Sequence, residues 1–100
     1  MFGLSEIVID DICGVFKKYH EIEYVYIFGS RAKGNYKEGS DIDLAIVSEK
    51  LSFNQLMDIS NKIEDLGLLY KVDTILYNDN KGTPIGEHID RVKKIFYQKV

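Results

Sequence analysis

The chain is poor in cysteine and proline, and each shortage excludes something. Its one cysteine, Cys13, excludes any disulfide within the chain. Cys13 falls in an amphipathic helical pattern, which predicts a core position rather than a catalytic one. The single proline, Pro84, follows Thr83 and is predicted to start a helix. No repeat, low-complexity tract or linker interrupts the pattern, so we expect one folded domain over residues 1–100.

Long hydrophobic runs and an excess of positive charge are also missing. The N-terminal apolar run, Ile7-Val8-Ile9, ends at Asp10, and we therefore expect neither a signal peptide nor a membrane span. A net charge of −3 argues against broad nucleic-acid binding, which favours basic domains. The expected location is the cytoplasm.

Two carboxylates stand on one face of a predicted strand, DIDLAIV. Because side chains alternate along a strand, Asp41 and Asp43 project from the same side. The opposite, core-facing side carries Ile42, Leu44 and Ile46. Neighbouring carboxylates repel each other unless a cation or a proton intervenes. Since Mg²⁺ is usually held by one or two carboxylates plus substrate phosphates, the pair predicts a metal site that works with a nucleoside triphosphate.

A second predicted strand, EYVYIF, ends at Gly29 and Ser30, and ten residues separate Ser30 from Asp41. A short helical turn should follow. Glycine lets the backbone approach a ligand closely, a serine hydroxyl can donate to a phosphate, and amides at a helix start attract anions. We therefore predict that Gly29, Ser30 and Arg31 bind the nucleotide. Taken alone, Gly29-Ser30 could be a plain turn with a serine cap, and Arg31 and Lys33 could be solvated surface charges.

A later acid, Asp73, lies in the apolar segment KVDTILY, thirty residues after Asp43. Aspartate is depleted in strand interiors and needs a reason to be there. We interpret Asp73 as a functional residue, with an ordinary strand-edge aspartate as the alternative.

Hydrophobic spacing predicts three longer helices. The first covers roughly residues 4–20, and the second starts at a capping-box pattern, Ser52 with Gln55, and stops at Gly67. The last carries four apolar residues at helical spacing, Ile85, Ile89, Val92 and Phe96. The predicted order is helix, strand, turn-helix, strand, helix, strand, helix. That order gives an α/β domain in which a small mixed sheet carries helices on one face and leaves the acid-bearing face open.

Gly29, Ser30, Asp41 and Asp43 match the G-S-x10-D-x-D signature of the DNA polymerase beta-like nucleotidyltransferase superfamily. The whole chain resembles the smallest branch of that superfamily, the minimal nucleotidyltransferase (MNT) proteins. The resemblance implies a single MNT domain over residues 1–100, with ATP as the substrate. It further implies two Mg²⁺ ions at Asp41, Asp43 and Asp73, with Asp73 also accepting the proton of the attacking hydroxyl.

MNT proteins are commonly paired with a HEPN-domain toxin, and related members neutralise that toxin by adenylylating one of its tyrosines. The resemblance therefore implies an antitoxin that moves AMP from ATP to a tyrosine of a HEPN partner. Two alternatives remain: a binding module that holds the toxin without catalysis, and a transferase acting on a small-molecule hydroxyl. A Walker-type loop is excluded because no glycine-lysine-serine or glycine-lysine-threonine occurs, and a metal-dependent glycosyltransferase leaves the glycine-serine turn unexplained. The sequence leaves a homo-oligomer open.

Overall fold

The computed structural model describes residues 1–99 and arranges them as alternating helices and strands. In chain order the elements are α1 Glu6–Phe16, β1 Tyr24–Phe28, α2 Gly29–Lys33, β2 Ile42–Val47, α3 Phe53–Glu64, β3 Val72–Leu76, α4 Pro84–Val92 and β4 Lys94–Gln98. A 3-10 turn, Tyr77–Asn80, joins β3 to α4. Within the described residues, no helix combines the length and the apolar character needed to cross a membrane.

Four strands form one mixed sheet in the order β3-β2-β1-β4. Strand β1 is antiparallel to both of its neighbours, whereas β2 and β3 run parallel and are connected through α3. Asp43 of β2 is the registered partner of Phe28 on β1 and of Asp73 on β3. The predicted α/β fold class with a small mixed sheet is confirmed.

The main core lies between one face of the sheet and helices α1 and α3. The predicted inward side of β2 is confirmed, because Ile42, Leu44 and Ile46 are fully buried. They pack with Val25 and Ile27 of β1. The helices contribute their apolar faces, Ile12, Val15 and Phe16 from α1 and Leu56, Ile59 and Ile63 from α3. Burial of this apolar surface, at about 25 cal/mol per Å², is the main force that fixes the sheet.

Helix α4 departs from the predicted one-sided arrangement. Its Ile89 is fully buried against Phe28 and Ala45, which belong to the face of the sheet that also carries Asp43. The strongly amphipathic sequence of α4 needs an apolar partner, and this face supplies one beside the acids. The acid-bearing face is therefore partly covered by α4 rather than fully open.

The boundaries of the first helix are shorter than the predicted 4–20. Ser5 caps α1, since its hydroxyl accepts a hydrogen bond from the Val8 amide. The helix ends at Phe16, after which the amide of Lys18 bonds to the carbonyl of Val15 in a tighter turn. The predicted capping box of α3, Ser52 with Gln55, is present in full.

Phe96 belongs to a fourth strand, so the prediction that places it in the last helix is wrong. Helix α4 ends at Val92, and Lys93 takes an extended ψ of 145°. The following segment pairs with β1 as β4, and its aromatic residues suit a half-buried strand. Phe96 is buried edge-on against Phe16 at a ring separation of 6.5 Å. The prediction failed because Phe96, a core residue of β4, lies four residues after Val92, which is also a helical spacing.

A buried arginine joins three parts of the chain. Arg31 of α2 is 3% exposed, and its Nε and Nη2 donate to the Ser40 carbonyl at 3.1 and 2.9 Å. Its Nη1 donates to the Phe2 carbonyl at 2.9 Å. The rings of Tyr36 and Tyr70 lie 5.1 and 4.9 Å from the guanidinium carbon, within cation–π range. The guanidinium therefore holds the N-terminal segment and the loop before β2 against α2.

Arg31→Met retains much of the side-chain volume but removes all three hydrogen bonds. We expect the free energy of unfolding to fall by about 2–4 kcal/mol, because two carbonyls lose charged donors. Urea denaturation followed by circular dichroism measures the loss. Lys33→Met, at an exposed position of the same helix, is the control and should stay within about 0.5 kcal/mol of wild type. Equal stability of the two variants would contradict the bridging role.

Gly86 of α4 lies against the backbone of Asn80, whose carbonyl oxygen a Cβ would overlap. Gly86→Ala should therefore push α4 away from the 3-10 turn and destabilise the fold by about 1–3 kcal/mol. Gly14→Ala is the matched control: its helical site has open space, so it should stabilise by roughly 0.5–1 kcal/mol. Thermal unfolding compares them. A gain in stability from Gly86→Ala would show that α4 does not depend on this close contact.

Candidate active site

Two strand-borne carboxylates meet where β2 and β3 run side by side. Asp43 and Asp73 are registered partners in the parallel pair, and neighbouring strands lie about 4.8 Å apart. Partners in register leave the sheet on the same face. The fold thus brings together two of the predicted site residues that are far apart in sequence.

Asp43 is the most perturbed acid of this group. Burial raises the pKa of Asp43 above its ordinary value, and the negative charges of Asp73 and then Asp41 raise it further. His88 and Lys71 act in the opposite direction. Asp41 is the exposed residue immediately before β2. Because folding makes the charged form of Asp43 more costly, the site favours a bound cation or proton.

The turn after β1 lies directly against the Asp43 carboxylate. Gly29 has a φ of 71°, and a Cβ on it would overlap Oδ2 of Asp43. A side chain is therefore excluded twice, by the backbone conformation and by the contact. Gly29 begins α2, and the half-buried Ser30 follows it. The turn that was predicted to bind phosphate and the acid that was predicted to bind metal are in contact.

The three predicted metal ligands do not form one ready cluster. Among residues 1–99, no group of three His, Cys, Asp or Glu side chains is arranged to hold an ion. Asp73 also lies 3.8 Å from the Lys71 ammonium. Mg²⁺ needs only one or two carboxylates when substrate phosphates complete its shell. The oxygen donors of Asp41 and Asp43, with the excess negative charge around Asp43, fit that mode of binding.

The Arg31 side chain, which the sequence predicts to bind the nucleotide, makes its hydrogen bonds within the protein. Its donors are directed to the carbonyls of Ser40 and Phe2, and the side chain is buried. The short helix α2 turns it toward the loop before β2 rather than toward Asp43. Lys33, two residues later, is exposed.

Sequence reasoning missed two basic residues near Asp43. His88 of α4 is half-buried, with its ring edge-on to Phe28 at 6.2 Å. It reaches the site only because α4 packs on the acid-bearing face, and no local motif signals that. Lys71 precedes Asp73 by two residues, the spacing of same-side neighbours on a strand. That spacing was a signal available in the sequence.

Comparison with known proteins places this geometry in a family. The family model described as "Polymerase beta, Nucleotidyltransferase" matches residues 10–100. A protein of Methanocaldococcus jannaschii, provisionally named protein adenylyltransferase MJ1217, is 38% identical over 65 residues. The match spans 64% of this chain and 65% of that relative's length, which is less than two thirds of it.

Two solved structures are similar in fold. A chain of a toxin-antitoxin with AMP-PNP gives a TM-score of 0.72 at 19% identity, covering 91% of this chain and 73% of that chain. A chain of the Shewanella oneidensis complex of tri-AMPylated HEPN toxin with MNT antitoxin gives 0.69 at 16% identity, covering 96% and 74%. At these identities the likeness shows the fold alone. Since the family model matches nearly the whole sequence, the chain belongs to the polymerase beta nucleotidyltransferase family.

Proposed function

We propose that this chain transfers AMP from ATP to a hydroxyl of a partner protein, a tyrosine of a HEPN toxin, and releases pyrophosphate. The contact between Gly29 and Asp43 carries the proposal, because it joins a phosphate-binding type of turn to a metal-binding type of carboxylate. Family membership supports nucleotidyl transfer. The name of the archaeal relative and the HEPN complex among the similar folds support a protein acceptor and that partner.

The nucleotide is held by the turn and the acids together. In this proposal the Ser30 hydroxyl and the amides at the start of α2 bind the terminal phosphates. Asp41 and Asp43 would hold Mg²⁺, and Asp73 stands beside Asp43 on the neighbouring strand. When bound, Mg²⁺ would neutralise charge on the phosphates and lower the pKa of the attacking hydroxyl.

The reaction is a displacement at the α-phosphorus of ATP. The acceptor oxygen forms a bond to that phosphorus while the bond from phosphorus to the α,β-bridging oxygen breaks, and pyrophosphate departs with the electron pair. The hydroxyl proton passes to the carboxylate of Asp73. The Asp73 side chain is 46% exposed and lies on the outermost strand β3, so an acceptor can approach it from solvent.

Intact-mass spectrometry of the partner tests the transfer. With ATP and Mg²⁺, the wild-type chain should add whole AMP units to a HEPN partner protein. Asp43→Asn should still bind the partner but leave its mass unchanged, because the proposed metal ligand is lost. Asp58→Asn, at an exposed acid of α3, is the matched control and should transfer AMP as wild type does.

Thermal unfolding separates lost chemistry from a lost fold. Folding raises the pKa of Asp43, so its charge opposes folding at neutral pH, and that cost disappears as the pH falls and the carboxyl is protonated. Asp43→Asn should therefore be as stable as wild type or more stable by roughly a few tenths of a kcal/mol at neutral pH. Transfer at the wild-type rate by Asp43→Asn overturns the carboxylate mechanism. Toxin neutralised without any gain in mass identifies a non-catalytic binding antitoxin.

A further inference from the structure

Strand β3 ends the sheet, and its outer edge faces away from β2. The amide of Ile42 donates to the carbonyl of Lys71, and this bond determines which residues of β3 hydrogen-bond to β2. The N–H and C=O groups of Asp73 point toward β2, whereas those of the alternate residues Val72 and Thr74 point outward. The outer edge therefore presents N–H and C=O groups on both sides of Asp73.

The two edges of the sheet differ in how they discourage strand addition. Strand β4 begins with Lys94, and its register with β1 is irregular between Val25 and Tyr26. Both features make the addition of a further strand at this edge less favourable. Strand β3 reads VDTIL and has neither lysine nor proline. Its β-branched residues and continuous register suit pairing with a further strand.

A groove of about 410 Å³ lies between α3 and this outer edge. Ile63, Leu68 and Val72 supply its apolar lining, and Asp73 also belongs to it. Leu69, in the loop that leads to β3, is 97% exposed. Apolar surface thus continues from the groove onto the loop beside the strand that carries Asp73.

We propose that the acceptor protein presents its hydroxyl on an extended segment, which adds to the outer edge of β3 as a fifth strand. This inference rests on the proposed function, because the acceptor must bring its hydroxyl to Asp73. Asp73, the unpaired edge and the groove all lie along β3. An extended segment bound along β3 therefore contacts all three at once. An extended segment satisfies the outward backbone groups, as strand addition does elsewhere.

The alternation of side chains then sets the sequence around the acceptor. The residue opposite Asp73 stands on the acid-bearing face, where its hydroxyl meets the carboxylate. Its two neighbours stand opposite Val72 and Thr74 on the other face and point toward the groove beside α3. The groove lining is mixed, since Leu68 and Val72 are apolar whereas Ser60 and Lys71 are polar. The residues that flank the acceptor tyrosine therefore meet both apolar and polar surface.

Amide hydrogen exchange tests the docking independently of catalysis. The amides of Val72, Thr74 and Leu76 should exchange rapidly in the free chain and slow by about tenfold or more when a HEPN partner protein is bound. Residue-resolved NMR of the labelled full chain measures the rates, and Asp41→Asn/Asp43→Asn protein provides a complex in which no transfer occurs.

Two variants probe the same edge by kinetics. Thr74→Pro removes an outward N–H and leaves the β2–β3 ladder intact. Ser60→Arg fills the groove from α3 without altering the sheet, so it serves even where the proline variant fails to fold. Each should lower kcat/KM for AMP transfer to the HEPN protein by about tenfold through KM, with nucleotide affinity unchanged. Asn61→Arg, exposed on the same helix, is the control and should match wild type.

The outcomes separate the docking from the chemistry. Transfer with unprotected edge amides, or with wild-type kinetics in Ser60→Arg, overturns the inference and leaves the proposed function standing. Protected edge amides without AMP transfer support the docking and overturn the proposed function. Protection in the chain alone, with a dimer in light scattering, shows that a second copy occupies the edge and overturns the acceptor assignment.

Discussion

The close approach of the Gly29 backbone to the Asp43 carboxylate is the constraint on which the rest of the site depends. Phe28 and Asp43 are registered partners on antiparallel strands, so the residue after Phe28 must turn the chain directly beside the acid. Only glycine allows both the positive φ and the contact. This single contact places the start of α2 directly beside β2, the strand that bears Asp43.

Elements far from this contact hold it in place and adjust its charge. Arg31 fixes the far side of α2 to the carbonyls of Ser40 and Phe2, so the turn cannot move away from β2 without breaking these hydrogen bonds. Helix α4 brings His88 near Asp43, where it lowers the pKa of Asp43 against the opposing effect of the neighbouring acids. The remaining repulsion is a cost that a bound cation would relieve.

Local alternation made much of this predictable. In the segment DIDLAIV the acids alternate with the apolar residues Ile42, Leu44 and Ile46. Because side chains on a strand alternate between its two faces, this pattern predicts which face is buried and which face bears the acids. The spacing between the glycine-serine turn and the acid pair lies within one strand-turn-strand unit, so the sequence alone predicts their proximity. The order of the helices and the first three strands follows from the same patterns.

Tertiary contacts account for what the sequence could not predict. The acceptors of Arg31 are main-chain carbonyls, which leave no mark in the sequence, and one of them lies 29 residues away. Phe96 lies at a helical spacing from Val92 although it belongs to a strand. A single apolar residue fits the spacing of a helix as well as that of a strand, so its position alone does not distinguish the two. His88 approaches Asp43 only through the packing of Ile89 on Ala45.

A crystal structure of the chain with Mn²⁺ and α,β-methylene-ATP tests most directly whether the turn and the acids act on one nucleotide. Mn²⁺ takes the place of Mg²⁺ at oxygen ligands and is located by its anomalous scattering. The account predicts manganese at the carboxylates of Asp41 and Asp43, with the terminal phosphates against the Gly29-Ser30 turn. Manganese bound away from Asp43, or a triphosphate bound away from that turn, would contradict it.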